Sequence, residues 1–113
     1  MAPKINPLAL NPLQLKTLTL LQALARLPDH AQSLEDGAVR VSHLPRPHGD
    51  HFHLGAAVVA SRDASGLANP AAWAALERKG LIRSEFPVAA VLTAAGLAYD
   101  TGPARQILHG ADH

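Results

Sequence analysis

Twice in this chain an asparagine is followed at once by proline and then by a run of helix-forming residues, at Asn11-Pro12 and at Asn69-Pro70. An asparagine side chain accepts hydrogen bonds from the orphan amides of a first helical turn, and a proline there sacrifices no bond, because its missing N–H has no partner at that position. The two pairs therefore mark where two helices begin, while Pro28 and Gly80 mark where they stop. Gln14 is placed to complete a capping box with Asn11, and Leu10 and Leu15 are spaced for a hydrophobic staple. The sequence thus predicts a first helix over residues 12–27 and a second over residues 70–79.

Leucines cover more of the first helix than one narrow stripe: Leu13, Leu20, Leu24 and Leu27 face one way, and Leu15 and Leu18 widen the surface. A helix apolar on two sides packs in a core and also suits pairing with a second copy. Leu13, Leu15, Leu18 and Leu20 are the residues expected at such a homodimer contact. The chain has 113 residues, 48% of them hydrophobic and 17% charged, which is enough for one core and too apolar for a disordered protein. With no cysteine there are no disulfides, thiolate metal sites or cysteine nucleophiles. The opening residues are broken by Pro3, Pro7 and Pro12, and no stretch reaches the length of a membrane span, so a cytoplasmic protein without a membrane partner is expected.

Residues 28–37 read as a polar connector ending at Gly37. Residues 38–44 alternate with period two, and residues 52–59 have strand character weakened by Ala and Gly. The two segments make a hairpin across a Pro/Gly-rich loop, or residues 55–61 form a short helix; periodicity leaves both open. Residues 62–68 form a turn before the second helix. Two short strands follow around Glu85-Phe86-Pro87, and Thr93 caps a further helix over residues 94–99, with one more turn over residues 104–108.

The stretch Ala72-Trp73-Ala74-Ala75-Leu76-Glu77-Arg78-Lys79-Gly80-Leu81-Ile82-Arg83, followed by Val91-Leu92-Thr93-Ala94-Ala95-Gly96-Leu97, resembles winged helix-turn-helix regulators of the MarR and PadR kind. Those families end a recognition helix in L-x-x-K-G-L-I, continue into a two-stranded wing, and open the next helix with L-T-x-x-G. The resemblance implies an α+β winged helix-turn-helix domain with three or four helices and small antiparallel hairpins. Residues 1–11 would be an arm, 12–109 the domain and 110–113 a tail. It further implies a cytoplasmic, homodimeric transcriptional regulator that binds double-stranded DNA, presenting residues 70–79 to the major groove. Asn69 and Ser65 would meet phosphates, Arg62, Arg78, Lys79 and Arg83 would supply charge, and Ala71, Ala72 and Ala75 would lie on the reading face. Alanines are too short to read base edges, and the tip Glu85-Phe86-Pro87 is acidic and apolar, so a winged helix used for protein contacts is the alternative.

Histidines form the densest chemistry. His48, His51 and His53 lie close together with Asp50, and His43 precedes them. Imidazoles at period two share a face of an extended strand, and a hairpin would bring His43 toward His51 and His53 as a zinc or nickel site. Exposed histidines also cluster without any ligand, and their protonation would make the surface more basic below neutrality. No cofactor is otherwise implied. No nucleophile elbow, phosphate-binding glycine loop or dinucleotide fingerprint occurs, so no enzymatic activity is expected.

Overall fold

The computed structural model describes residues 6–45 and 49–110. The elements run α1 (Pro12–Leu24), β1 (Ala31–Ser33), β2 (Val39–Ser42), β3 (His51–Leu54), β4 (Ala57–Ala60), a 3₁₀ helix η1 (Ser61–Ala68), α2 (Pro70–Arg78), β5 (Ile82–Glu85), β6 (Ala89–Leu92), α3 (Ala94–Ala98), a second 3₁₀ helix η2 (Gly102–Ile107) and β7 (His109–Gly110). They form an α+β fold with two antiparallel sheets, one of order β1-β2-β6-β5 and one of order β3-β4-β7. Of the expected tail, Gly110 pairs in β7 and the remainder lies outside the described residues.

α1 begins as the sequence dictates. Gln14 N donates to Asn11 Oδ1 at 2.8 Å and Asn11 N donates to Gln14 Oε1 at 3.0 Å, closing the capping box. The regular helix ends at Leu24, short of Pro28. Arg26 N and Leu27 N reach back only three residues, to Ala23 O and Leu24 O, so the last turn is tightened ahead of the proline. Thr17, Leu18, Thr19, Leu20, Leu21 and Leu24 are all buried, which places α1 at the centre of the domain, packed by η1, α2 and η2.

That central position removes two of the four leucines from the expected dimer contact. Leu18 and Leu20 have no exposed surface and belong to the core, so they cannot meet a second copy. Leu13 and Leu15 are half-buried. Even the two threonines are accommodated inside: Thr17 Oγ1 donates to Leu13 O at 2.7 Å and Thr19 Oγ1 to Leu15 O at 2.8 Å, so neither hydroxyl is left unpaired in an apolar setting. Gly66 of η1 lies directly over Thr17, where an added Cβ would collide with its Oγ1.

The β segments depart from the sequence reading in three places. First, the polar connector holds a strand, β1, whose hairpin with β2 is closed by Leu34 N donating to Ala38 O at 2.9 Å. Second, β2 does not pair with residues 52–59. It pairs with β6, with Val41 opposite Ala90 and both buried. Third, residues 52–59 are two strands: Gly55 adopts φ +61, a conformation glycine enters without a side-chain penalty, and the chain turns between β3 and β4. The short helix over 55–61 is therefore absent, while the expected turn at 62–68 lies within η1.

β5 and β6 form the expected hairpin, and Phe86 at its tip meets Trp73 edge to face with ring centroids 5.0 Å apart. Thr93 ties the next helix to the end of α2, its Oγ1 donating to Gly80 O at 2.7 Å and accepting from Gly96 N at 3.0 Å. Residues of the arm fold onto the domain as well. Tyr99 OH donates to Asn6 Oδ1 at 2.6 Å and accepts from Leu8 N at 3.1 Å, and Leu10 is buried.

Candidate nucleic-acid interface

α2 is held from both ends. Asn69 Oδ1 accepts from Ala71 N at 2.9 Å and from Ala72 N at 3.3 Å, and Gly80, at φ +77, turns the chain out of the helix. Trp73 and Leu76 have no exposed surface, and the Trp73 Nε1–H donates to Gly66 O at 3.1 Å, joining α2 to η1. Ala72 and Ala75 are buried beside them, at 3% and 4% exposure, because α2 packs against α1, η1 and β5. This corrects their place on a reading face: neither side chain reaches solvent. The exposed side of α2 consists of Pro70, Ala71, Ala74, Glu77 and Arg78.

The remaining candidates differ in how free they are. Arg62 and Ser65 are exposed on η1, and Arg78 and Lys79 are exposed at the end of α2. Asn69 is half-buried, with its side-chain oxygen committed to the cap. Arg83 is engaged: its Nη1 lies 3.2 Å from Asp36 Oδ2. The Asp36 carboxyl is held below its ordinary value by the Ala38 backbone N–H first and by Arg83 second. Arg40 donates Nε and Nη2 to one oxygen of Glu85, at 3.0 and 2.9 Å, and Lys16 lies 2.8 Å from Asp63. Among the described residues, Arg26, Arg62, Arg78 and Lys79 make no ion pair. Three of these four lie on η1 and at the end of α2.

Sequence reasoning missed one surface feature. Leu44, Pro45, Leu67, Phe86, Pro87 and Val88 line a cleft of about 750 Å³ between the end of β2, η1 and the β5–β6 tip. Val88 is 64% exposed, an unusual position for a large aliphatic side chain. The run Phe86-Pro87-Val88 was its legible signal, but only the fold brings Leu44 and Leu67 beside it.

The histidines do not assemble as expected. His43 follows the four-stranded sheet, at φ +56, whereas His51 and His53 belong to the three-stranded sheet, because β2 pairs with β6 rather than with β3. His48 lies outside the described residues. Among the described residues, no three His, Cys, Asp or Glu side chains gather to hold a metal ion. No helix among them is long and apolar enough to cross a membrane. Compared with known proteins, the chain matches no family model, no curated protein and no solved structure.

Proposed function

We propose that this chain is a winged helix-turn-helix domain that binds duplex DNA, with η1 and α2 as the helical pair and the β5–β6 hairpin as the wing. The observation that carries the reading is the order of connection: α1 and β2 precede the helical pair, with the β3–β4 hairpin inserted between β2 and η1, and the following hairpin returns to pair with β2 in the order β2-β6-β5. This resembles the arrangement the L-x-x-K-G-L-I and L-T-x-x-G patterns imply. The exposed cations Arg62, Arg78 and Lys79 on the helical pair support contact with phosphates.

The chemistry of the face also defines the kind of binding. Ala71 and Ala74 cannot form bidentate contacts with base edges, and Arg40, on the strand β2 beside the wing, is paired with Glu85. Such a surface holds the phosphate backbone and tolerates many sequences. Arg78→Ala combined with Lys79→Ala is expected to weaken binding to every duplex tested by a similar factor and to reduce the salt dependence of the affinity. Unchanged affinity in the folded variant would remove the proposed contacts. A protein-binding winged helix is the second reading, favoured by the apolar cleft beside Val88. Val88→Ser separates the two, because it removes the exposed apolar side chain from the cleft without changing the charge of the wing that would face DNA.

A further inference from the structure

The three-stranded sheet buries one face and exposes the other. In β3, Phe52 and Leu54 point into the core at 7% and 5% exposure, so the alternate residues His51 and His53 stand on the solvent side. β3 is an edge strand, which leaves both imidazoles open to solvent on that flank. Their ring centroids are 5.9 Å apart and the planes are inclined at 76°. His51 Nδ1 lies 3.0 Å from Asp50 Oδ1. A carboxylate can only accept, so Nδ1 carries the proton and the Nε2 lone pair of His51 is left free.

We propose that His51 and His53 form a two-imidazole chelate for a borderline divalent transition ion such as Ni²⁺ or Zn²⁺, completed by water, with Asp50 orienting His51. Several observations converge on this site. The strand fixes both rings on one side, held by the buried Phe52 and Leu54 between and after them. The ring separation is close to what two nitrogens about 2.1 Å from a shared ion require, and the exposed side chains close the difference by small rotations. Asp50 supplies the carboxylate–imidazole contact that usually stands behind a metal-binding histidine, fixing its tautomer.

Among the described residues, the register gives the site two protein ligands. His53 is opposite Val58, and Val58 is opposite His109, so His109 shares the outer face but sits two strands away, roughly 10 Å from His53. Val58 stands between the two, so the adjacent imidazoles of β3 are the pair that makes the site. The two-ligand site binds more weakly than a closed four-ligand centre and exchanges its ion readily. It shares no residue with the proposed DNA contacts, although Asp50 O accepts from Ser61 N at the start of η1, and its test reads metal binding without DNA.

The experiment is calorimetric titration of the full chain with NiCl₂ and with ZnCl₂, using MgCl₂ as a hard-ion control. The parent is expected to bind one transition ion per chain at this site and no Mg²⁺. His51→Ala and His53→Ala should each abolish that binding step, His109→Ala should retain it, and Asp50→Asn should weaken it by roughly 10–100-fold. All these side chains are exposed, and the emission of Trp73 reports whether each variant keeps its core. As a second readout on the parent alone, Ni²⁺ should broaden amide signals first in residues 50–54. Binding that survives in the His51→Ala/His53→Ala double variant, or broadening centred elsewhere, overturns the proposal.

Discussion

Replacing Gly66 by alanine tests the contact on which the helical half of the fold rests. The backbone at Gly66 has no positive φ, so alanine is conformationally acceptable and the whole effect comes from space. The new Cβ would overlap Thr17 Oγ1 and sit 3.1 Å from Thr17 Cβ and 3.3 Å from Leu13 Cδ1. Thr17 is fully buried and its hydroxyl is tied to Leu13 O, so it cannot swing away. η1 must lift from α1, and it takes with it the Gly66 carbonyl that accepts from Trp73. Overpacking of this kind costs about 1–3 kcal/mol, which for a domain of this size lowers Tm by roughly 4–12 °C. The assay is thermal unfolding followed by the emission of the single tryptophan. A second variant makes the test specific. Thr17→Ala removes the obstructing oxygen, so adding it to Gly66→Ala should recover at least about 0.5 kcal/mol relative to the sum of the single effects. Strict additivity, or a Gly66→Ala variant as stable as the parent, would refute the packing of η1 on α1.

Other consequences are as direct. Gly96→Ala would drive a Cβ into the Leu81 carbonyl, a backbone atom no side-chain variant can clear, so it should destabilise more than Gly66→Ala and resist rescue in the same unfolding assay. Leu20→Ala removes a side chain with no exposed surface and should cost about 2–5 kcal/mol in urea unfolding, while leaving the oligomeric state seen by sedimentation unchanged. Asp36 has its folded carboxyl below the ordinary value of 3.8, so its contribution to stability is present above that value and is lost as pH falls through the lowered one. Asp36→Asn should therefore flatten the acid limb of the urea midpoint as pH falls below the ordinary value of 3.8, and an unaltered limb would contradict the Ala38 and Arg83 contacts.

The helix starts were legible because each rests on local chemistry: Asn11 and Asn69 cap within three residues of themselves, and Thr93 does the same for α3. The β5–β6 hairpin was legible for the same reason, since its strands are neighbours in sequence. What escaped was long-range. β1 is three residues, two of them exposed, so it carries no apolar alternation and exists only because β2 offers an edge. β2 reads as half of a hairpin with the next strand, but its partner β6 lies almost fifty residues on, where Val41 meets Ala90. Side assignments on α2 and α1 failed by the same logic. Ala75 is small and sits on what periodicity gives as an outer face, yet it is buried where α2 packs on α1, η1 and β5; Leu18 and Leu20, expected at a contact with a second copy, are buried where α1 packs on η1, α2 and η2. Among the site residues, Arg78 and Lys79 were readable as exposed from the helix end, whereas the capture of Arg83 by Asp36 depends on the turn between β1 and β2.

The most direct test of the account is an amide-resolved NMR titration of the chain with a generic duplex at low and at high salt. Duplex binding through η1, α2 and their cations predicts shifts concentrated in residues 62–84, led by Arg62, Ser65, Arg78 and Lys79, that collapse as salt rises. Shifts that are absent at low salt, or that centre on the cleft around Val88 and ignore salt, would contradict it.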